Sequence, residues 1–139
     1  EYARLYSTVE IDQWFWSLFS ARDIGLPDPE DVSRYRTAVP DGFCFSVKVP
    51  NSITLTHHYR KSKMQPLEEN PHFLSHDLVE RFLETLAPMR DTLGPVMFQF
   101  EYLNRQKMTS QNQCLHLVEA FATTLPAPHR RYRKWTLLH

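Results

Sequence analysis

Glycine is nearly missing from this chain, with three in 139 residues against ten prolines. The two common phosphate loops each need several glycines at fixed spacing, so that backbone N–H groups can approach the anion. Neither pattern occurs, which excludes nucleotide binding by those devices. Cysteine is scarce as well. Cys44 and Cys114 stand far apart with no metal-ligand spacing, so no metal site and no cofactor are expected, and two reduced, partly buried thiols in a cytoplasmic protein are. Excess charge of one sign is also lacking, since 16 Lys and Arg balance 16 Asp and Glu. A nucleic-acid partner held by bulk electrostatics is therefore not expected, and only local basic stretches remain, HHYRKSK at 57–63 and HRRYRK at 129–134. No apolar run is long enough to cross a bilayer. The first residues are not a charged segment followed by an apolar one, so neither a membrane anchor nor a secretory leader is expected.

What is present reads as one globular domain over 1–139 with a single core. In FCFSVKVP (43–50), Phe43, Phe45, Val47 and Val49 alternate with Cys44, Ser46 and Lys48, the period of a strand with one apolar face. STVEID (7–12) and PVMFQFE (95–101) read as strands too, and WTLL (135–138) as the start of another. Between them lie three helical patterns. The first, 28–39, has Asp28 as N-cap, Pro29 at the first helical position and a Val32, Tyr35, Val39 stripe. The second runs over 75–86, extending toward Arg90, with Leu78, Phe82, Leu86 and Met89 on one face. The third opens on a Ser110/Gln113 capping box and carries Leu115, Val118 and Ala122, with Leu117 and Phe121 beside them, until Pro126 and Pro128 end it. Residues 51–74 read as a long loop with a helical turn in it. Alternating strands and helices predict an α/β fold with a parallel sheet.

Buried strands of such a sheet should be apolar throughout, and these break the rule in a consistent way. Glu10 and Asp12, Lys48, and Gln99 and Glu101 all stand toward the C-terminal ends of their strands, each set on one parity. If those faces coincide, Glu10, Lys48 and Gln99 meet at the end of the sheet where α/β folds place ligand sites. A buried ammonium must be paired, and Glu10 or Asp12 is the expected partner. An architectural ion pair would look the same from sequence. After the second strand come His57 and His58, of which one could serve as general base, metal ligand or phosphate contact. The aromatic run at 14–16 (WFW) reads as a packed lid over the sheet, or as a stacking wall for a sugar or base.

Three segments carry a family resemblance. STVEIDQWFW, GFCFSVKVPNSITLTH and LGPVMFQF resemble, in order and spacing, three motifs of the YecE-like family, also called domain of unknown function 72. The resemblance implies a (β/α) barrel of the TIM type, and it brings the family's polar motif positions onto Glu10, Asp12, Lys48, His57 and Gln99. Asp12 stands where that family usually has Asn, Trp14 where it often has Ser or Thr, and Glu101 where it usually has Pro. Set against about 250 residues for a complete barrel, the expectation is a partial barrel with about half of the strands and with open sheet edges that invite self-association. Two functions follow. One is a hydrolase- or isomerase-type site for a small polar or phosphorylated ligand, inactive in a barrel lacking half its strands, with Glu10 and Lys48 as catalytic groups and Asp12, His57 and Gln99 binding. The alternative is a nucleic-acid-binding or nucleic-acid-processing barrel using the basic loop 57–63.

Overall fold

Alternation becomes strand and 3.6-residue periodicity becomes helix at nearly every place the sequence suggests. The computed structural model describes residues 2–20, 23–125 and 135–138. In chain order it runs α1 (Tyr2–Leu5), β1 (Thr8–Ile11), β2 (Leu18–Ser20), β3 (Asp23–Ile24), α2 (Pro29–Thr37), β4 (Cys44–Lys48), α3 (Asn51–Thr54), α4 (His76–Thr85), a 3₁₀ turn (Ala87–Met89), β5 (Leu93–Gln99), α5 (Gln111–Thr124) and β6 (Trp135–Leu138). The basic stretch 129–134 and the prolines 126 and 128 lie outside the described residues. The main sheet is wholly parallel with order β1-β4-β5-β6. Its strands therefore follow one another across the sheet in chain order, each joined to the next by a helical crossover. A small antiparallel hairpin, β2 with β3, sits in the first connection; no turn signal in the sequence announces it.

The helices share one side of the sheet. Ile11, Phe45, Val47, Val49, Val96 and Phe98 form a single buried cluster with Val32 of α2, Leu78, Val79 and Phe82 of α4, and Phe121 of α5. Ring contacts fix two of these packings: Tyr35 lies 5.9 Å from Phe45, and Phe121 lies 5.7 Å from Phe98. Each long helix starts where a side-chain oxygen can take an otherwise unmatched N–H. Asp28 accepts from Glu30 N at 2.9 Å, Ser75 from Leu78 N at 3.3 Å and Ser110 from Gln113 N at 3.1 Å.

Several expectations need correction. The Gln113 side chain does not close a reciprocal box with Ser110; it accepts from the backbone and hydroxyl of Thr109 instead. The second helix does not extend to Arg90, because Pro88 has no N–H to continue the ladder, and the chain tightens into the separate 3₁₀ turn. On α5 none of the predicted stripe Leu115, Val118 and Ala122 is buried; the neighbouring Phe121 is, while Leu115 and Leu117 are exposed.

The third main strand begins at Leu93, not Pro95. Phe45 pairs with Leu93 but Val47 pairs with Val96, so β5 carries one extra residue there. Such a bulge is where a proline can sit inside a sheet, since its missing N–H falls outside the regular ladder. Gly94 is needed at the same point, because a Cβ on it would lie 2.3 Å from Cys44 Sγ and 3.1 Å from the Phe45 carbonyl oxygen.

Candidate functional site

Lys48 ends β4 on the sheet face opposite the helices. In the parallel register Glu10 pairs with Ser46, which sets Asp12 level with Lys48 on the neighbouring strand and Glu10 one pleat behind. The Lys48 Nζ donates to Asp12 Oδ1 at 2.7 Å and lies 3.1 Å from Glu10 Oε1. Its side chain is 17% exposed, against 41% for Glu10 and 58% for Asp12. The ammonium is thus enclosed while its partners reach water. The Asp12 hydrogen bond, with Glu10 adding to it, holds the Lys48 ammonium above its ordinary pKa against the lowering effect of burial. The Phe15 ring lies beneath, its centroid 5.9 Å from the ammonium nitrogen.

Gln99 shares this face, since Lys48 pairs with Met97. It lies a further pleat along β5, however, and makes no hydrogen bond with the Lys48 group among the described residues. The three polar faces coincide, but only two strands bring their side chains into contact.

The aromatic run divides between its two readings. Trp14 and Phe15 are buried, with Trp14 at 5.4 Å from Tyr35 in edge contact. Trp16 is 58% exposed, flanked by Phe15 at 5.1 Å and Tyr59 at 6.1 Å. A ring this exposed does not fit the packed-lid reading.

What holds the loops in place is a buried polar network that the sequence did not disclose. Asn51 Oδ1 accepts from Ser17 N at 2.9 Å, Leu18 N at 3.0 Å and Ser17 Oγ at 3.2 Å, tying the loop after β1 to the loop after β4. Asn70 Nδ2 donates to the Ser52 and Leu55 carbonyls at 2.8 and 2.6 Å, and Asn70 Oδ1 accepts from His72 N at 3.0 Å. Asparagine supplies donor and acceptor on one short arm, which suits it to replace ladder bonds inside an irregular segment. No local signal separates these two asparagines from surface ones.

A second polar group stands at the end of β5. Glu101 pairs with Lys107 and accepts from Thr56 Oγ1 at 3.2 Å, and Thr56 Oγ1 meets His57 Nδ1 at 2.9 Å. Partial burial and the Glu101 charge push the Tyr59 phenol up, and a hydrogen bond with Asn51 works against them. His57 is buried and does not join the Lys48 group; His58 is half-buried, its Nε2 without a partner among the described residues. Thr56, His57, Arg105 and Lys107 line a cavity of about 360 Å³. A larger cleft of about 790 Å³ lies between α5 and the segment 100–111, and it contains none of Glu10, Asp12, Lys48, His57 or Gln99. Within the basic stretch 57–63, the Arg60 guanidinium turns back onto the Lys63 and Gln65 carbonyls at 3.4 and 3.3 Å.

Among the described residues no cluster of His, Cys, Asp or Glu has the geometry to hold a metal ion, and no helix is long and apolar enough to cross a membrane. No curated protein and no solved structure matches the chain. A family model does, over residues 1–133, and its description is "Protein of unknown function DUF72". With nearly every residue covered, and with the three motif segments supplying β1, β4 and β5 of one parallel sheet, the chain belongs to the DUF72 family.

Proposed function

We propose that the parallel sheet is a sector of a TIM-type (β/α) barrel whose C-terminal strand ends bind a small, hydroxyl-rich ligand, with hydrolase or isomerase chemistry as the reaction class. The observation that carries this reading is the Lys48 ammonium held at 2.7 and 3.1 Å between Asp12 and Glu10, at the ends of adjacent strands and on the face opposite the described helices. A sheet that adds strands in chain order with every helix on one side is the arrangement that closes into a barrel, and barrels place their sites at this end. Charge selects the ligand. Two carboxylates face one ammonium, so a phosphate would have to displace a partner from Lys48, whereas a sugar hydroxyl can bridge the three as they stand. The exposed Trp16 ring supplies the apolar platform that a sugar face needs. In such a site Lys48, kept protonated, stabilises developing negative charge; Glu10 exchanges a proton and Asp12 orients the ligand. Gln99, on the same face, contacts the ligand's far side.

The test is a thermal-shift panel of neutral monosaccharides, polyols and phosphorylated sugars on wild type, Lys48→Met and Trp16→Ala. Neutral sugars should raise the wild-type Tm, and both variants should lose that rise. A rise with phosphorylated compounds alone, or an undiminished rise in Trp16→Ala, would overturn the reading.

A further inference from the structure

The Glu101, Thr56 and His57 contacts form a chain in which the protons can be counted. Glu101, paired with Lys107, is a carboxylate and has no proton to give. The hydrogen bond at 3.2 Å is therefore donated by Thr56 Oγ1, which spends the only proton on that oxygen. Thr56 Oγ1 can then meet His57 Nδ1 at 2.9 Å only as an acceptor, so Nδ1 carries a hydrogen. In the neutral imidazole this leaves Nε2 bare, as a hydrogen-bond acceptor and base. The chain is well enclosed: Thr56 and His57 are buried, and Glu101 and Lys107 are 15% and 17% exposed. Few competing waters reach it, which strengthens each link. His57 also lines the cavity of about 360 Å³, together with Arg105, Gln106, Asn70, Gln113 and the carboxylate-bearing Glu69, so an anion can enter only at the Arg105 side. Lys107 is committed to Glu101, whereas Arg105 has no acid partner among the described residues. The cavity thus joins one uncommitted guanidinium to one nitrogen that must accept.

We infer that this cavity is a second binding site, independent of the Lys48 group, for a small anion that also bears a hydroxyl, such as a short hydroxy acid. The anionic end pairs with Arg105, and the hydroxyl donates to His57 Nε2, whose tautomer Thr56 and Glu101 set. Thr56 and Glu101 are positioning residues here; they act on the ligand only through His57.

Long-range ¹H–¹⁵N correlation spectra of the whole chain, recorded above the ordinary imidazole titration range, read the tautomer directly. Wild type and Thr56→Ser should show His57 with hydrogen on Nδ1, and Thr56→Val should shift it toward the Nε2–H form. Hydrogen on Nε2 in the wild type would overturn the assignment whatever the variants do. Glycolate and acetate then serve as probes. Glycolate should perturb the His57 resonances at lower concentration than acetate, and Arg105→Ala, an exposed position, should weaken glycolate roughly tenfold or more, as expected for loss of one charge-assisted hydrogen bond. Equal binding of the two acids, or glycolate binding unaffected by Arg105→Ala, would remove the site.

Discussion

Lys48 carries one positive charge among two carboxylates that water still reaches, and this sets both its strength and its pH dependence. Solvent screening of the half-exposed partners limits the pair energies, so Lys48→Met should cost about 1 kcal/mol in chemical denaturation, and less in high salt. Because the folded-state pKa of Lys48 is raised, its contribution is complete below the unfolded value of about 10.4 and is lost as pH climbs through the folded one. The difference between wild type and variant should therefore be flat through neutral pH and close in the alkaline range; a difference that disappeared near pH 6 would point to another group. Gly94 presents the opposite case, where an added atom is the problem. Gly94→Ala drives a methyl into Cys44 Sγ and should destabilise by about 1–3 kcal/mol, as overpacking does. Adding Cys44→Ala should return part of that loss, leaving the contact with the Phe45 carbonyl as the remainder. Denaturation of the two single variants and the double variant measures this coupling.

Among the elements, strands and long helices were legible because their signals are local. Alternation at 43–49, the N-cap residues Asp28, Ser75 and Ser110, and the apolar faces of α2 and α4 all survive in the structure. Parity alone placed Glu10, Asp12 and Lys48 on one face, because pleat direction depends only on residue number once the register is aligned. Contact across strands was less legible. Gln99 has the correct parity but lies a pleat too far to touch Lys48, a distance set by register and not by sequence period. The Thr56–Glu101 and Asn51–Ser17 bonds join residues 45 and 34 positions apart, and no local pattern encodes them. The same lesson governs loop 51–74, whose order rests on a few buried amides. Asn70→Ala strands two buried carbonyls and should cost about 2–4 kcal/mol. Limited proteolysis should then cut within 56–72 faster than in wild type, while the far-UV signal of the helices persists.

At the scale of the whole molecule, a single buried cluster takes residues from β1, β4, β5, α2, α4 and α5. No part of that cluster can open without exposing the rest, so unfolding should be one cooperative transition. Far-UV circular dichroism and tryptophan fluorescence should coincide, with Trp14 reporting from the core; separated transitions would mean that the sheet and its helices are independent units. The bulge in β5 bears on how such a molecule can vary over time. Leu93 and Val96 both face the core although three positions separate them, so the strand changes phase at Gly94 and Pro95. Losing Pro95 would leave Leu93, Val96 and Phe98 on their present side and straighten the ladder. Losing Met97 would instead set Val96 and Phe98 on opposite faces. Descendants of this gene can therefore gain or shed a codon at one point of a central strand and nowhere else along it, and lineages should differ in length there first.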